Sequence, residues 1–376
     1  MNPSNIEPWT TPPETKMELD WASLLTVDLS RYDLPGGKQS LAEEMKEAVR
    51  TCGFWTVINS AIPQDLVDRQ FAIANAFFNL PIEEKRQVVV DYAGGGSHFG
   101  YREPVQMHLN DGVKEVRQNL EILNVPKISP PGAVRETTEP LHDYIAQFRD
   151  EIAAFQRLCY EKVIRRFLVL FSIMLELPED YFIDRHRFSS PSEDHIRMLK
   201  YHPRPEEVDN QVKHTWLAGH TDFGSLTLLF SQPIAALQIL TPTNEWKWVK
   251  PVKGGIICNA ADVLSFLTKG YIKSCVHRVI RPPADQVQHN RIGVIYFLRP
   301  GNHVPMIPAP SPVLLREGLI SEDNFKGERS DEAVTGYEYV RARVAHVNTQ
   351  KTWRVDGEKA MNLFQVKNLS VQDYYV

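Results

Sequence analysis

The stretch AGHTDFGSLTLLF, Ala218 to Phe230, sets a histidine and an aspartate two positions apart at the mouth of an apolar run. Residues two apart in an extended chain project from one face, so His220 and Asp222 can aim an imidazole nitrogen and a carboxylate oxygen at one point. Such a pair is weak evidence for a metal until a third donor is found. The run SCVHRVI supplies one in His277, where Val276 and Val279 have packing roles and the imidazole has none. Two histidines and a carboxylate leave half an octahedron open, the donor set of mononuclear Fe(II) oxygenase centres and one that zinc can also take. Arg291 begins another apolar run, NRIGVIYF. A guanidinium facing a sheet interior needs an anion, either an internal Asp or Glu or the carboxylate of a bound small acid. Tyr201, in RMLKYHP, can add a hydroxyl to the same carboxylate.

These residues need a scaffold of short strands. Runs of β character occur at 195–201, 225–230, 255–258, 263–266, 277–280 and 291–297, separated by Pro, Gly, Asn and Asp clusters, a spacing that suggests a sandwich or barrel. Before them the periodicity is helical. It predicts a helix from Leu41 to Cys52 feeding a strand at Gly53 to Ile58, a helix from Pro63 to Pro81, and one long buttressing helix, broken at most once, between Pro140 and Leu177. GGGSHFGYRE, Gly94 to Glu103, lacks the Lys of a phosphate loop and is expected to be a mobile turn over a cleft.

Composition excludes several classes. The 47 acidic and 42 basic residues are interspersed, with no basic block to follow a phosphate backbone, so nucleic acid is not expected as a partner. The cysteines Cys52, Cys159, Cys258 and Cys275 are far apart and read as buried thiols in a reducing compartment. No N-terminal apolar leader is visible, and the most apolar stretch, Phe167 to Leu175, is too short to span a bilayer. A cytoplasmic protein without a membrane partner is expected.

HTDFGSLTLL, SCVHRV and NRIGVIYF, in this order and spacing, resemble the C-terminal signature of the iron(II)- and 2-oxoglutarate-dependent dioxygenases of the isopenicillin N synthase-like superfamily. CGFWTVINSAI with AFFNLPIEEK is similar to the family's N-terminal module, and AALQIL, WKWVKP and NAADVLSF fall where its strands and turns do. The resemblance covers roughly residues 25 to 350. It implies an α+β fold, a double-stranded β-helix or jelly-roll core buttressed by helices. The organisation expected is an N-terminal arm (1–25), an N-terminal module (26–135), the long helix (136–190), the dioxygenase core (191–305) and a C-terminal extension (306–376).

By matching position, the resemblance makes His220, Asp222 and His277 the iron ligands, and Arg291, with Tyr201 and the backbone position Gly293, the site of the cosubstrate's far carboxylate. The implied chemistry uses Fe(II), 2-oxoglutarate and O₂ to oxidise a small metabolite in specialised metabolism. Hydroxylation is the default, and desaturation or ring rearrangement is open to the same chemistry. Family cleft positions point to Arg197, Phe297, Arg299, Phe99, Tyr101, Asn119 and Glu121 as substrate contacts. Two positions depart from the family pattern: Gly293 stands where a serine is usual and Leu199 where an asparagine is usual. Gly293→Ser is therefore expected to tighten cosubstrate binding about a few-fold if the hydroxyl fits. The departures leave a 2-oxoglutarate-independent Fe(II) oxidase as an alternative, beside a zinc hydrolase and a non-catalytic small-molecule-binding β-helix protein.

Overall fold

The computed structural model describes residues 6–90, 97–109, 115–129, 140–321, 333–349, 352–353, 362–367 and 369–373. Its first fourteen strands, in chain order, are β1 (Leu25–Asp28), β2 (Phe54–Ile58), β3 (Gly100–Arg102), β4 (Gln106–Leu109), β5 (Glu115–Arg117), β6 (Leu120–Pro126), β7 (His195–Tyr201), β8 (Thr215–His220), β9 (Leu226–Phe230), β10 (Leu237–Leu240), β11 (Trp246–Trp248), β12 (Ile256–Ala260), β13 (His277–Ile280) and β14 (Arg291–Leu298). A larger sheet runs β1-β2-β12-β9-β14-β7-β6-β3 and a smaller one β11-β10-β13-β8. The two sheets face each other. Leu120, Ile122, Leu199 and Tyr201 of the larger sheet share one buried cluster with Trp216 and Val279 of the smaller, and the Tyr201 and Trp216 rings stack at 5.8 Å.

Period-two alternation divides each central strand between two environments. On β7 and β14, Ile196, Met198, Ile292, Val294 and Tyr296 turn outward into the main core, with Phe71 and Phe77 of the helix Gln64–Phe78 and Phe167 and Phe171 of the helix Arg165–Met174. The intervening residues, Arg197, Leu199, Tyr201, Arg291 and Gly293, turn inward between the sheets, where Arg291 pairs in register with Tyr201 and Gly293 with Leu199.

The early helices lie at Gly37–Thr51 and Gln64–Phe78, close to the expected limits. The long helix differs. A short turn at Asp143–Ala146 precedes it, and the run from Arg149 to Met174 widens into a π turn at Tyr160–Ile164. A π turn absorbs an extra residue, which keeps Cys159, Val163, Phe167 and Leu170 all buried. The expected strand at 263–266 is a helix, Asp262–Leu267, because an apolar run this short does not distinguish the two states. Within the expected mobile turn, 94–96 lie outside the described residues and Gly100–Arg102 form β3. The N-terminal arm is docked: the Trp9 ring stacks on Phe71 at 4.6 Å, and Thr15 and Lys16 donate to Asp285. No helix among the described residues is long and apolar enough to cross a membrane.

Alternation also relocates two expected substrate contacts. Glu121 pairs with Lys200 on the face of β6 and β7 opposite Tyr201. There it accepts hydrogen bonds from Lys85 (2.6 Å), Tyr101 (2.5 Å) and His202 (2.6 Å). Lys85 also donates to the Phe78 carbonyl, tying the end of a helix to the sheet. Burial alone pushes the Glu121 carboxyl up, but the hydrogen bonds from His202, Lys85 and Tyr101 outweigh it and hold the group down at about 2. Tyr101 and Glu121 thus belong to a supporting network. Glu121→Ala, which strands the Lys85 ammonium, is expected to cost about 3–5 kcal/mol in urea denaturation. Because the folded carboxyl titrates below the ordinary value of 4.5, its stabilisation is present above that pH and disappears as pH falls toward 2. Wild type should lose more stability over that interval than Glu121→Ala.

Candidate metal centre and cosubstrate pocket

The register of β13 against β8 sets His277 directly opposite His220, with ring centroids 4.3 Å apart. Each imidazole meets a backbone carbonyl two residues upstream through Nδ1: Ala218 for His220 (2.9 Å) and Cys275 for His277 (3.1 Å). Donation to those carbonyls places the proton on Nδ1 and leaves each Nε2 lone pair free. Asp222 comes from the turn after β8. Its Oδ1 lies 3.9 Å from Nε2 of His220 and 3.7 Å from Nε2 of His277. Its Oδ2 accepts from Thr227 (2.7 Å) and Asn259 (2.8 Å), which are themselves a cross-strand pair of β9 and β12.

Ligand atoms from all three residues fall within 4.8 Å of one another, a spacing that can hold a metal ion. Burial, followed by His277, pushes the His220 imidazole down to about 4, so it is a neutral donor at physiological pH. Burial raises the Asp222 carboxyl, but His277, His220, Asn259 and Thr227 together bring it down to about 2, and it remains an anion. Thr227 and Asn259 were not singled out in the sequence. Thr227 sits on the same apolar run as the aspartate, whereas Asn259 has only its place in NAADVLSF as a signal.

Arg291 is 4% exposed, its Nε has no hydrogen-bond partner, and no carboxylate among the described residues forms an ion pair with it. Its guanidinium lies 5.6 Å from the Tyr201 ring, and the Tyr201 hydroxyl is likewise buried and unpartnered. Burial keeps that phenol protonated, its pKa pushed up to about 12, and so a donor. A small carboxylate would satisfy both groups, and an internal Asp or Glu does not. Gly293 contributes no side chain, and the space above it is filled: a Cβ there would sit 2.7 Å from Cδ1 of Leu199. The two departures from the family pattern are one packed pair.

Of the remaining candidates, Arg197, Phe297 and Phe99 gather at one wall. The Arg197 guanidinium lies 4.9 Å from the Phe297 ring, and His195 packs against both Phe297 (5.0 Å) and Phe99 (5.8 Å). Arg299 approaches the same Phe297 ring at 5.4 Å. Asn119 lies elsewhere: it donates to the His202 carbonyl and lines a groove of about 460 Å³ with Pro104, Arg117 and Gln211, which contains no member of the triad. His98 and the arginines of the helix Gly336–Thr349 were missed, since neither stretch carries a motif.

Residues 25–143 match the family model described as non-haem dioxygenase in morphine synthesis N-terminal, and residues 192–300 match that of the 2OG-Fe(II) oxygenase superfamily. A UPF0676 protein of Schizosaccharomyces pombe is 32% identical over 327 residues, 85% of this chain and 90% of its own. The 2-oxoglutarate-dependent dioxygenase frbH of a Dothideomycetidae species is 30% identical over 334 residues, 85% of this chain and 96% of its own. A full-length Neurospora crassa protein, crystallised with alpha-KG and thymine, shares the fold at a TM-score of 0.72 and 21% identity, covering 88% of this chain and 100% of that one. The chain belongs to the 2OG-Fe(II) oxygenase superfamily. It is an Fe(II)- and 2-oxoglutarate-dependent dioxygenase with a jelly-roll core.

The packed pair reverses one expectation. Gly293→Ser does not gain a free hydroxyl beside Arg291 but drives Cβ into Leu199, an overpacking expected to cost about 1–3 kcal/mol and to weaken cosubstrate binding. Combining it with Leu199→Ala, which removes Cγ and both δ methyls, should recover part of the loss. Denaturation and 2-oxoglutarate titration of the two single variants and the double variant measure the coupling. Additive effects would show that the two side chains do not compete for one space.

Proposed function

We propose that His220, Asp222 and His277 hold the Fe(II), that Arg291 and Tyr201 receive the far carboxylate of 2-oxoglutarate, and that the enzyme oxidises a C–H bond of a small metabolite, hydroxylating it in the default case. The observation that carries this reading is the inward-facing Arg291, with no acid to pair with among the described residues, on the strand facing the triad sheet. Bound iron supplies the redox chemistry, coupling decarboxylation of 2-oxoglutarate to the reduction of O₂ and the oxidation of substrate.

The chain's own residues orient and insulate. The Ala218 and Cys275 carbonyls hold the imidazole tautomers, and Thr227 and Asn259 hold one carboxylate oxygen so that the other faces the histidines. Arg291 and Tyr201 donate to an anion in a pocket whose neighbours, Leu199, Trp216 and Val279, exclude water and strengthen those contacts. A zinc hydrolase built on the same triad leaves Arg291 and Tyr201 without a task. The thymine crystallised with the Neurospora protein supports a small-molecule substrate.

Anaerobic Fe(II) plus 2-oxoglutarate should give a weak visible charge-transfer band, and aerobic turnover should release succinate. Asp222→Ala should fold but lose iron retention. Arg291→Gln removes a charge-assisted contact and leaves a buried anion unpaired, at a cost on the order of 2–5 kcal/mol. The apparent Kd for 2-oxoglutarate should rise about 30-fold or more with iron affinity unchanged. Unaltered 2-oxoglutarate dependence in Arg291→Gln, with weakened binding of the main substrate, would reassign the arginine to the substrate and favour the oxidase.

A further inference from the structure

Beside the triad, two arginines, Arg299 and Arg197, make no ion pair among the described residues. Arg299, one residue past β14, is 4% exposed, and its Nε and Nη1 have no hydrogen-bond partner. Asp194 accepts from the Arg299 backbone N–H (2.6 Å), and its charge, like that of Asp222, acts on the guanidinium without a hydrogen bond to it. A Cβ on Gly224 would lie 2.8 Å from Nη1 of Arg299, which places the guanidinium over the turn leaving Asp222. Its Cζ is 5.4 Å from the Phe297 ring and 5.8 Å from the Phe223 ring. Arg197 reaches the same Phe297 ring at 4.9 Å, and its Nε donates to the neutral amide of Asn124 (2.8 Å).

Two further groups complete the wall. His98 is 2% exposed with both ring nitrogens unpartnered. Glu193 lies 3.4 Å from it, yet burial, then Arg299, Arg197 and Arg341, push the imidazole down to about 3 and keep it neutral. Arg343, over the Phe223 ring, has a counter-ion in Asp262 at 3.6 Å. Asp222 feels Arg299 but is committed to the metal in the reading above.

We propose that the primary substrate is a carboxylic acid, its carboxylate bound by Arg299 and Arg197 with His98 as a neutral donor, and its apolar body resting on Phe297 and Phe223. Guanidinium groups match a carboxylate with paired donors, and an anion entering here takes up the Nε and Nη1 donors of Arg299 that lack a hydrogen-bond partner. The site is separate from the cosubstrate pocket: Arg291 and Arg299 bracket β14, about 26 Å apart along an extended strand. The proposal rests on the iron and 2-oxoglutarate reading, and its test separates the two.

Three isosteric probes, phenylacetate, phenylacetamide and 2-phenylethylammonium, are titrated by saturation-transfer NMR into Zn(II)-loaded, 2-oxoglutarate-saturated protein, which does not turn over. Phenylacetate should bind about tenfold or more tighter than the amide, and the ammonium should not bind. Arg299→Gln and, at the more exposed position, Arg197→Gln should each erase the preference, with 2-oxoglutarate binding to the Fe(II) protein unchanged in the visible band. Circular dichroism identifies a variant that fails to fold, and the other then decides. Equal binding of acid and amide, no binding of the acid, or a preference surviving in the folded variants overturns the proposal. A wild type without the visible band overturns the iron and cosubstrate reading instead, since the acid preference is read without it.

Discussion

The antiparallel register that places His277 opposite His220 is the constraint from which the rest of the site is built. Two imidazoles in facing positions repel if charged, so the arrangement is stable only when both stay neutral or share a cation. On both strands Nδ1 donates to the carbonyl two residues upstream, which fixes the tautomer and leaves the Nε2 lone pairs to face Asp222. Asp222 then arrives from the turn rather than from a strand, and its outer oxygen is clamped by the Thr227 and Asn259 pair across β9 and β12. Strands from both sheets must therefore be in register before the donors converge, and the site is organised by the fold before any ion arrives.

The same alternation separates scaffolding from chemistry in the larger sheet. Outward residues of β7 and β14 belong to the core beneath the helices, and inward ones carry Arg197, Tyr201 and Arg291. Glu121 and Tyr101 lie on the outward side and are spent on holding a helix end to the sheet. There Glu121 answers Lys85, whereas on the inward side Arg197 and Arg291 make no ion pair among the described residues. Guanidinium groups without an ion pair on the inner face favour anionic ligands there.

How much of this was legible in the sequence follows from the range of each signal. His220 and Asp222 are local, and the apolar runs around His277 and Arg291 announce strands, so the triad and the inward arginine could be read from spacing and resemblance. Strand type was legible where runs were long, as at 291–297, and failed at 263–266, where four apolar residues fit a helix equally well. The face assigned to Glu121 could not be read, because it depends on the pairing of β6 with β7, and a shift of one residue would have turned it inward. His98 and Arg341 act at a distance in sequence and have no local pattern at all.

Leu199 and Gly293 show how a departure from a family pattern can mislead when each position is read alone. As a single change, glycine for serine removes a hydroxyl donor from beside the proposed cosubstrate carboxylate. As half of a register pair, it makes room for Leu199, whose side chain occupies the space that the serine and an asparagine would otherwise fill with polar groups. The neutral hydrogen bond lost is worth about 0.5–1.5 kcal/mol, whereas drier surroundings lower the local dielectric and strengthen the charge-assisted contact of Arg291. The pocket thereby relies on one strong donor and a phenol in an apolar setting rather than on several weaker donors in a wet one. On the proposed reading, Arg291 then carries more of the cosubstrate's binding than it would in a pocket with the usual serine.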